Sequence, residues 1–274
     1  MCSSDLRYLL FDVEPTERKD PFGNTFYSEI DVVAADGPAP ASDPSLAARP
    51  ERVSFEAAGG RYRFAVDVTE APDLREWSGR ERRKVVSEWY PRLASQLGSE
   101  GFSPRAELLF RFRGDMGGTP ASASGGSINL NVVWFRRELG REALGAVVHE
   151  MAHIVQDYGR AGAGSPRPQP VPGWVVEGIA DYVRWFLYEP QSRGAEITKG
   201  NVDRAKYDGS YRISANFLDW ATRRYDRDLV RKLNAAAREG RYSDALWSGW
   251  TGKSVQALGG AWLEEQRERL SGGR

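Results

Sequence analysis

The chain contains only two histidines, and they stand four residues apart in His149-Glu150-Met151-Ala152-His153. Residues four apart on an α-helix lie one turn above each other on the same side. If this stretch is helical, both imidazoles point at one place. A zinc ion wants that arrangement, with Zn–N bonds of about 2.0–2.1 Å. Glu150 projects beside the pair and can reach an attacking water without ligating the metal itself, as a general base must. Catalytic zinc takes three protein ligands and leaves the fourth position open. No third histidine exists and the one cysteine, Cys2, is remote, so a third protein ligand has to be a carboxylate. Glu177 is the best candidate, 24 residues after His153, which leaves room for a loop and an antiparallel return helix. Asp181 lies one turn further on the same face. It is placed to accept the second N–H of a ligating histidine and so fix that ring. Imidazole and carboxylate ligands accept several first-row ions, so Zn²⁺ is an expectation from ligand chemistry.

Two helices must carry these residues. Leu139 to Val148 is helical in pattern, and Leu144, Val147, Val148, Met151, Ile154, Val155 and Tyr158 fall at the spacing of one buried face. Gly159 suits a left-handed helix end. Trp174 to Leu187 is the second helix, stopping before Pro190. Gly178 within it costs roughly 1 kcal/mol against alanine, and a small residue there would let the two metal-bearing helices approach closely. Ser165 to Gly173, with prolines at 166, 168, 170 and 172, is a stiff loop joining them. Upstream, Tyr62–Val68 and Ala106–Phe112 alternate as strands. Ser78 to Leu97 reads as a helix with Ser78 as N-cap, Pro91 as a kink and Gly98 as stop. Gly114 to Gly126 is polar loop. Ser127 to Phe135 reads as a third strand, with Ile128, Leu130 and Val132 on one face and Asn129 and Asn131 on the other. Such a strand either forms the rim of a cleft, where an extended peptide adds as a further strand, or is an ordinary internal strand of the sheet. Residues 211–225, 228–238, 242–247 and 254–270 are helical in pattern. The class is α+β: a small β-sheet, then the active-site helix, then a mostly α-helical C-terminal half.

Composition narrows the rest. With 38 basic and 38 acidic residues in 274, nothing draws the whole chain toward nucleic acid or anionic membrane. No apolar run approaches the roughly 20 residues a membrane span needs. One cysteine excludes an intrachain disulfide, and the nine tryptophans suit core packing. Residues 1–33 carry two strand-like stretches, too few for a core of their own. They are either a hairpin docked on the main domain or the tail of a truncated β-sandwich, and they faintly resemble the closing strands of carbohydrate-binding sandwiches. Residues 34–50 have linker composition, and 51–274 form the main domain. Cys2 to Leu6 reads as a lipidated cysteine or as translated adapter at a broken gene end. The second is preferred, which makes the N-terminus truncated and leaves the missing signal peptide uninformative.

The His-Glu-x-x-His helix followed by a Glu-x-x-x-Asp helix resembles the gluzincin class of zincin-like metallopeptidases. More narrowly, Val147–His153, then Val176–Arg184, then Tyr207–Tyr211, then Phe217–Trp220 resemble the plant basic secretory protein family and its bacterial relatives. The likeness runs over about residues 60 to 270. It implies a zinc-dependent peptidase, secreted or in the cell envelope, with His149, His153 and Glu177 as metal ligands and Glu150 as catalytic base. This chain is neutral rather than basic, which puts any charge-dependent family role in doubt. Tyr211, after the Gly-Ser turn of the third block, is the candidate donor to the oxyanion, with Tyr182 and Arg184 as alternatives. Plainer readings exist: the histidines as a core pair, Glu177 and Asp181 as helix charges, Asp208 and Asp219 as turn and cap residues, and 266–269 as a solvated helix face. The aromatics Trp174, Tyr182, Trp185 and Phe186 suit core rather than pocket. A peptide or protein substrate is expected. The alternative is a catalytically silent, zinc-containing module that binds cell-wall or glycan material, in part through the N-terminal segment. Hydrolysis of a non-peptide amide is a third possibility for the same site.

Overall fold

A computed structural model describes residues 51–158, 171–209 and 211–272. The N-terminal segment, the linker, Gly159 and most of the proline-rich loop lie outside the described residues. Strands β1 (Arg52–Ala57) and β2 (Tyr62–Asp67) form a hairpin. Its turn places Ala58, Gly59 and Gly60 at positive φ. Strand β3 (Glu107–Arg113) pairs parallel with β2, so the chain must cross over between them. The crossover is one helical run: a 3₁₀ turn (Pro72–Leu74), α1 (Arg75–Trp77), a π-helical turn (Ser78–Arg82) and α2 (Arg83–Gln96). Strands β4 (Ala121–Ser124) and β5 (Ser127–Asn131) form a second hairpin, closed at Gly125, whose φ is +62°. β5 pairs parallel with β3, and the strand order is β1-β2-β3-β5-β4.

The alternation read from the strand sequences builds the core. Phe55, Phe64, Val66, Phe110, Phe112, Ile128 and Leu130 share the inner face and are buried. From α2, Tyr90 sets its ring edge-on against Tyr62 and Phe64, at 5.0 and 5.6 Å. Ser78 is fully buried inside the crossover rather than capping it, because the helical run begins six residues earlier. Arg82, also buried, lays its guanidinium over Phe110 and Phe55. Helix α2 continues through Pro91, which removes a single backbone donor, and ends at Leu97–Gly98.

Two strand readings need correction. The stretch 114–126, expected as loop, contains β4. Its Ala and Ser residues carry little β-propensity, and the pairing with β5 supplies what the side chains lack. β5 stops at Asn131 rather than Phe135. The Asn131 side chain accepts from the backbone N–H of Val133 and Trp134 and so starts α3 (Val132–Glu138). β5 is thus an interior strand, and the rim of the sheet is β4.

The remaining helices are α4 (Ala143–Gln156), α5 (Gly173–Tyr182), α6 (Tyr211–Arg224), α7 (Leu229–Arg238), α8 (Ala245–Thr251) and α9 (Val255–Ser271). A π-helical turn, Val183–Tyr188, prolongs α5, so the expected stop before Pro190 holds. Trp174, Tyr207, Phe217, Trp247 and Trp262 pack ring against ring between α5, α6, α8 and α9. Trp174 and Trp185 are core residues as expected. Asp219 is neither turn nor cap. It lies inside α6 and pairs with Arg223 at 2.5 Å. Nor is 266–269 wholly solvated: Gln266 is buried, and Arg269 donates to the Ile197 carbonyl at 2.6 Å. The chain is α+β. No described helix is long and apolar enough to cross a membrane.

Candidate metal centre

Helix α4 is buried almost all round. Gly145, Ala146, Val147, Val148, Met151, Ala152, Ile154 and Val155 are all buried, and the histidines occupy its one partly open face. It starts at Ala143 rather than Leu139, because a turn at residues 139–142 separates it from α3. Asp157 takes the left-handed position at its end, with φ +47°. Asp and Asn tolerate that conformation better than other side chains.

Three side-chain atoms converge above this face. His149 Nε2 and His153 Nε2 lie 3.0 Å apart, and Glu177 Oε2 of α5 lies 3.2 Å from each. Ligands at 2.0–2.1 Å around a tetrahedral ion stand about 3.3–3.4 Å from one another. The triangle therefore has nearly the size that a small divalent cation imposes. The outer nitrogens are already committed: His149 Nδ1 lies 2.7 Å from Asp181 Oδ1, and His153 Nδ1 lies 2.7 Å from Gln156 Oε1. With the ring hydrogens on those nitrogens, two imidazole lone pairs and a carboxylate oxygen face one another at about hydrogen-bond distance. Three acceptors so placed repel unless a positive charge lies among them. His149, His153 and Glu177 together could hold a metal ion. Without one, protons relieve the crowding. Burial pulls His149 down, but hydrogen bonds to Asp181 and Glu177 outweigh it and push it up to about 10. Against burial, the two histidines hold Glu177 down to about 2.

Asp181 is 4% exposed and sits on the first histidine, where helical spacing placed it. Gln156 is the residue the sequence reading missed. It follows His153 by three on the same helix, but nothing marks it as buried until α5 packs over it. Glu150 lines the same cleft as the two histidines and is 7% exposed. Burial pushes its carboxyl above the usual carboxylate range, against the pull of the imidazoles. Tyr211 opens α6, lines the cleft, and sets its ring centroid 6.5 Å from that of His149. It is 55% exposed, and burial of its inner part with Glu177, Asp181 and Glu150 nearby raises its hydroxyl pKa. The two alternatives to Tyr211 are less suited. Tyr182 lies outside the cleft lining, stacked on Phe186. Arg184 is engaged by Glu142 at 2.9 Å and Glu189 at 2.6 Å, and it stacks on Trp185.

Gly178 does not serve the contact expected of it. A Cβ there would stand 3.0 Å from Ser214 Cβ and 3.2 Å from Leu218 Cδ1, so the close approach is to α6. On α4 the small residue is Gly145, where a Cβ would collide with Glu189 and Arg184.

The cleft has a volume of about 940 Å³. It is lined by His149, Glu150 and His153 of α4, Glu177 and Asp181 of α5, Tyr211 and Arg212 of α6, and Ala121 and Ser122 of β4 with Thr119 just before them. The triad, the buried carboxylate of Glu150 and strand β4, the last strand of the sheet among the described residues, thus line one cleft. No curated protein matches this one. Over residues 57–262, three quarters of its length, the chain matches the family described as "Peptidase of plants and bacteria" (BSP), and it belongs to that family.

Proposed function

We propose that the protein is a zinc-dependent peptidase that acts outside the cytoplasm, as its likeness to secretory proteins implies. The observation that carries the metal reading is the triangle of three acceptors at 3.0–3.2 Å, formed by His149, His153 and Glu177. A zinc ion bound there would supply a Lewis acid that makes water nucleophilic near neutral pH and polarises a carbonyl. Glu150 takes the proton of the attacking water and returns it to the leaving amine. Its burial suits both halves of that task, since a raised pKa brings the carboxyl nearer the pH of catalysis. Asp181 holds His149 in one tautomer and orientation. Tyr211 donates its hydroxyl to the developing oxyanion, its raised pKa keeping the proton available. The substrate is an extended peptide laid along β4. That strand pairs with β5 and is the last of the sheet among the described residues, and its Ala121, Ser122 and Ala123 line the cleft.

Glu150→Gln tests the reading. The variant should bind zinc as the wild type does while its turnover of fluorescently labelled casein falls ~10²–10⁴-fold. Full turnover by the variant would remove Glu150 from the mechanism. Zinc binding by a wild type that cleaves neither casein nor a peptide library would favour the silent binding module instead.

A further inference from the structure

Gln156 ends α4, one turn beyond His153, and is 2% exposed. Its side chain makes two hydrogen bonds of opposite sense. Oε1 accepts from His153 Nδ1 at 2.7 Å, and Nε2 donates to the Val176 carbonyl at 2.7 Å. Val176 immediately precedes the ligand Glu177. A carbonyl oxygen can only accept, so Val176 holds the amide nitrogen and turns the amide oxygen toward His153. That oxygen also only accepts, so the ring hydrogen of His153 must be on Nδ1. The Nε2 lone pair then faces His149 and Glu177. Turned the other way, the amide would set its oxygen against the Val176 carbonyl, two buried acceptors with no hydrogen between them.

The backbone beneath this side chain is held from outside the two metal-bearing helices. Arg238 of α7, 7% exposed, donates through Nε to the Gln156 carbonyl at 3.1 Å. Through Nη2 it donates to the Val155 carbonyl at 2.7 Å and the Leu97 carbonyl at 2.9 Å. The last carbonyls of a helix lack partners within it and carry the negative end of its dipole, which a buried guanidinium satisfies.

We propose that Gln156 is a positioning residue of the metal centre: it locks His153 in the Nδ1–H tautomer and, through Val176, sets His153 and Glu177 in register across α4 and α5. Arg238 clamps the turn that presents it. This rests on the metal reading above. It also explains the residue type. Glutamate could accept from His153 but could not donate to Val176, and leucine of similar volume could do neither.

The test is zinc titration of the metal-free wild type, Gln156→Leu and Gln156→Glu against a chromophoric chelator. Proton NMR of the imidazole N–H groups in the zinc-loaded proteins accompanies it. Two histidines allow at most two such ring protons. The wild type should show both, protected from exchange. Gln156→Leu should lose the one of His153 and bind zinc ~10–100-fold more weakly, the usual effect of removing a partner of a ligating histidine. Gln156→Glu should keep that proton, because the acceptor is restored. A leucine variant with both ring protons and an affinity within about twofold of wild type would overturn the proposal while leaving the metal reading intact. A wild type that binds no zinc would overturn the metal reading, and the proposal with it. Should leucine prevent folding, the glutamate variant decides, since loss of the His153 proton there overturns the proposal.

Discussion

A histidine that ligates through Nε2 must first give up any proton it holds there, and the two histidines are equipped unequally for this. His149 has a buried carboxylate behind it, whereas His153 has a neutral amide. In the metal-free site the proton on His149 is held up to about pH 10. Metal capture must therefore expel at least one proton. Zinc affinity should rise about tenfold for each pH unit between 6 and 8, measured by chelator competition in buffers of matched ionic strength. A flat profile would show that no proton competes with the metal. The same raised value acts on the metal-free fold. A folded pKa above the unfolded value near 6.5 stabilises the protein fully below that value, and the contribution fades as pH rises through about 10. His149, Glu150, His153, Glu177 and Asp181 were legible as a set because helical periodicity puts residues four apart together. Gln156 was not, since a glutamine at a helix end has the same sequence signature whether it is solvated or enclosed.

At the scale of elements, α5, which carries Glu177, packs on α6 as well as on α4. Gly178, next to Glu177, is where α5 and α6 cross, with Ser214 and Leu218 against its missing side chain. Gly178→Val should overpack that crossing and cost about 1–3 kcal/mol in urea denaturation. Gly178→Ala should be close to neutral, because its helix propensity gain of roughly 1 kcal/mol offsets a tight contact. Equal stability of the valine variant and wild type would mean that α6 moves aside freely. The two strand differences have separate causes, and the end of β5 is set by the Asn131 cap of α3. β4 is short, built from Ala and Ser, and visible only through its partner β5. Its discovery moves the cleft wall from an interior strand to an edge strand, which is what an incoming peptide could pair with.

Across the whole molecule, the site joins segments far apart in the chain. Leu97 at the end of α2, Val155 and Gln156 at the end of α4, and Arg238 at the end of α7 meet at one guanidinium. His149 and His153 sit on α4 and Glu177 on α5, so an ion bound among them would crosslink elements that the core already packs together. Binding that exists only in the folded state stabilises it by mass action, about 2.7 kcal/mol with free zinc at 100 times Kd. At ~2–4 °C per kcal/mol for a domain of this size, chelation should lower the melting temperature by roughly 5–10 °C, and stoichiometric zinc should restore it. An unchanged melting temperature would argue that the triad holds no ion.

The sequence by itself determined the things that periodicity and residue chemistry carry: an α+β class, the inward faces of β2, β3 and β5, and the two helices that bring His149, Glu150, His153, Glu177 and Asp181 to one cleft. It did so because a helix converts spacing along the chain directly into direction in space. Only the tertiary structure decided which strand became the edge, which helix Gly178 faces, and that Tyr211 and Arg184 both line the cleft, with Arg184 paired to Glu142 and Glu189. It also decided that Gln156 is sealed between His153 and Val176. These are meetings between residues remote in sequence. They are set by how packed surfaces fit, and no local pattern encodes that.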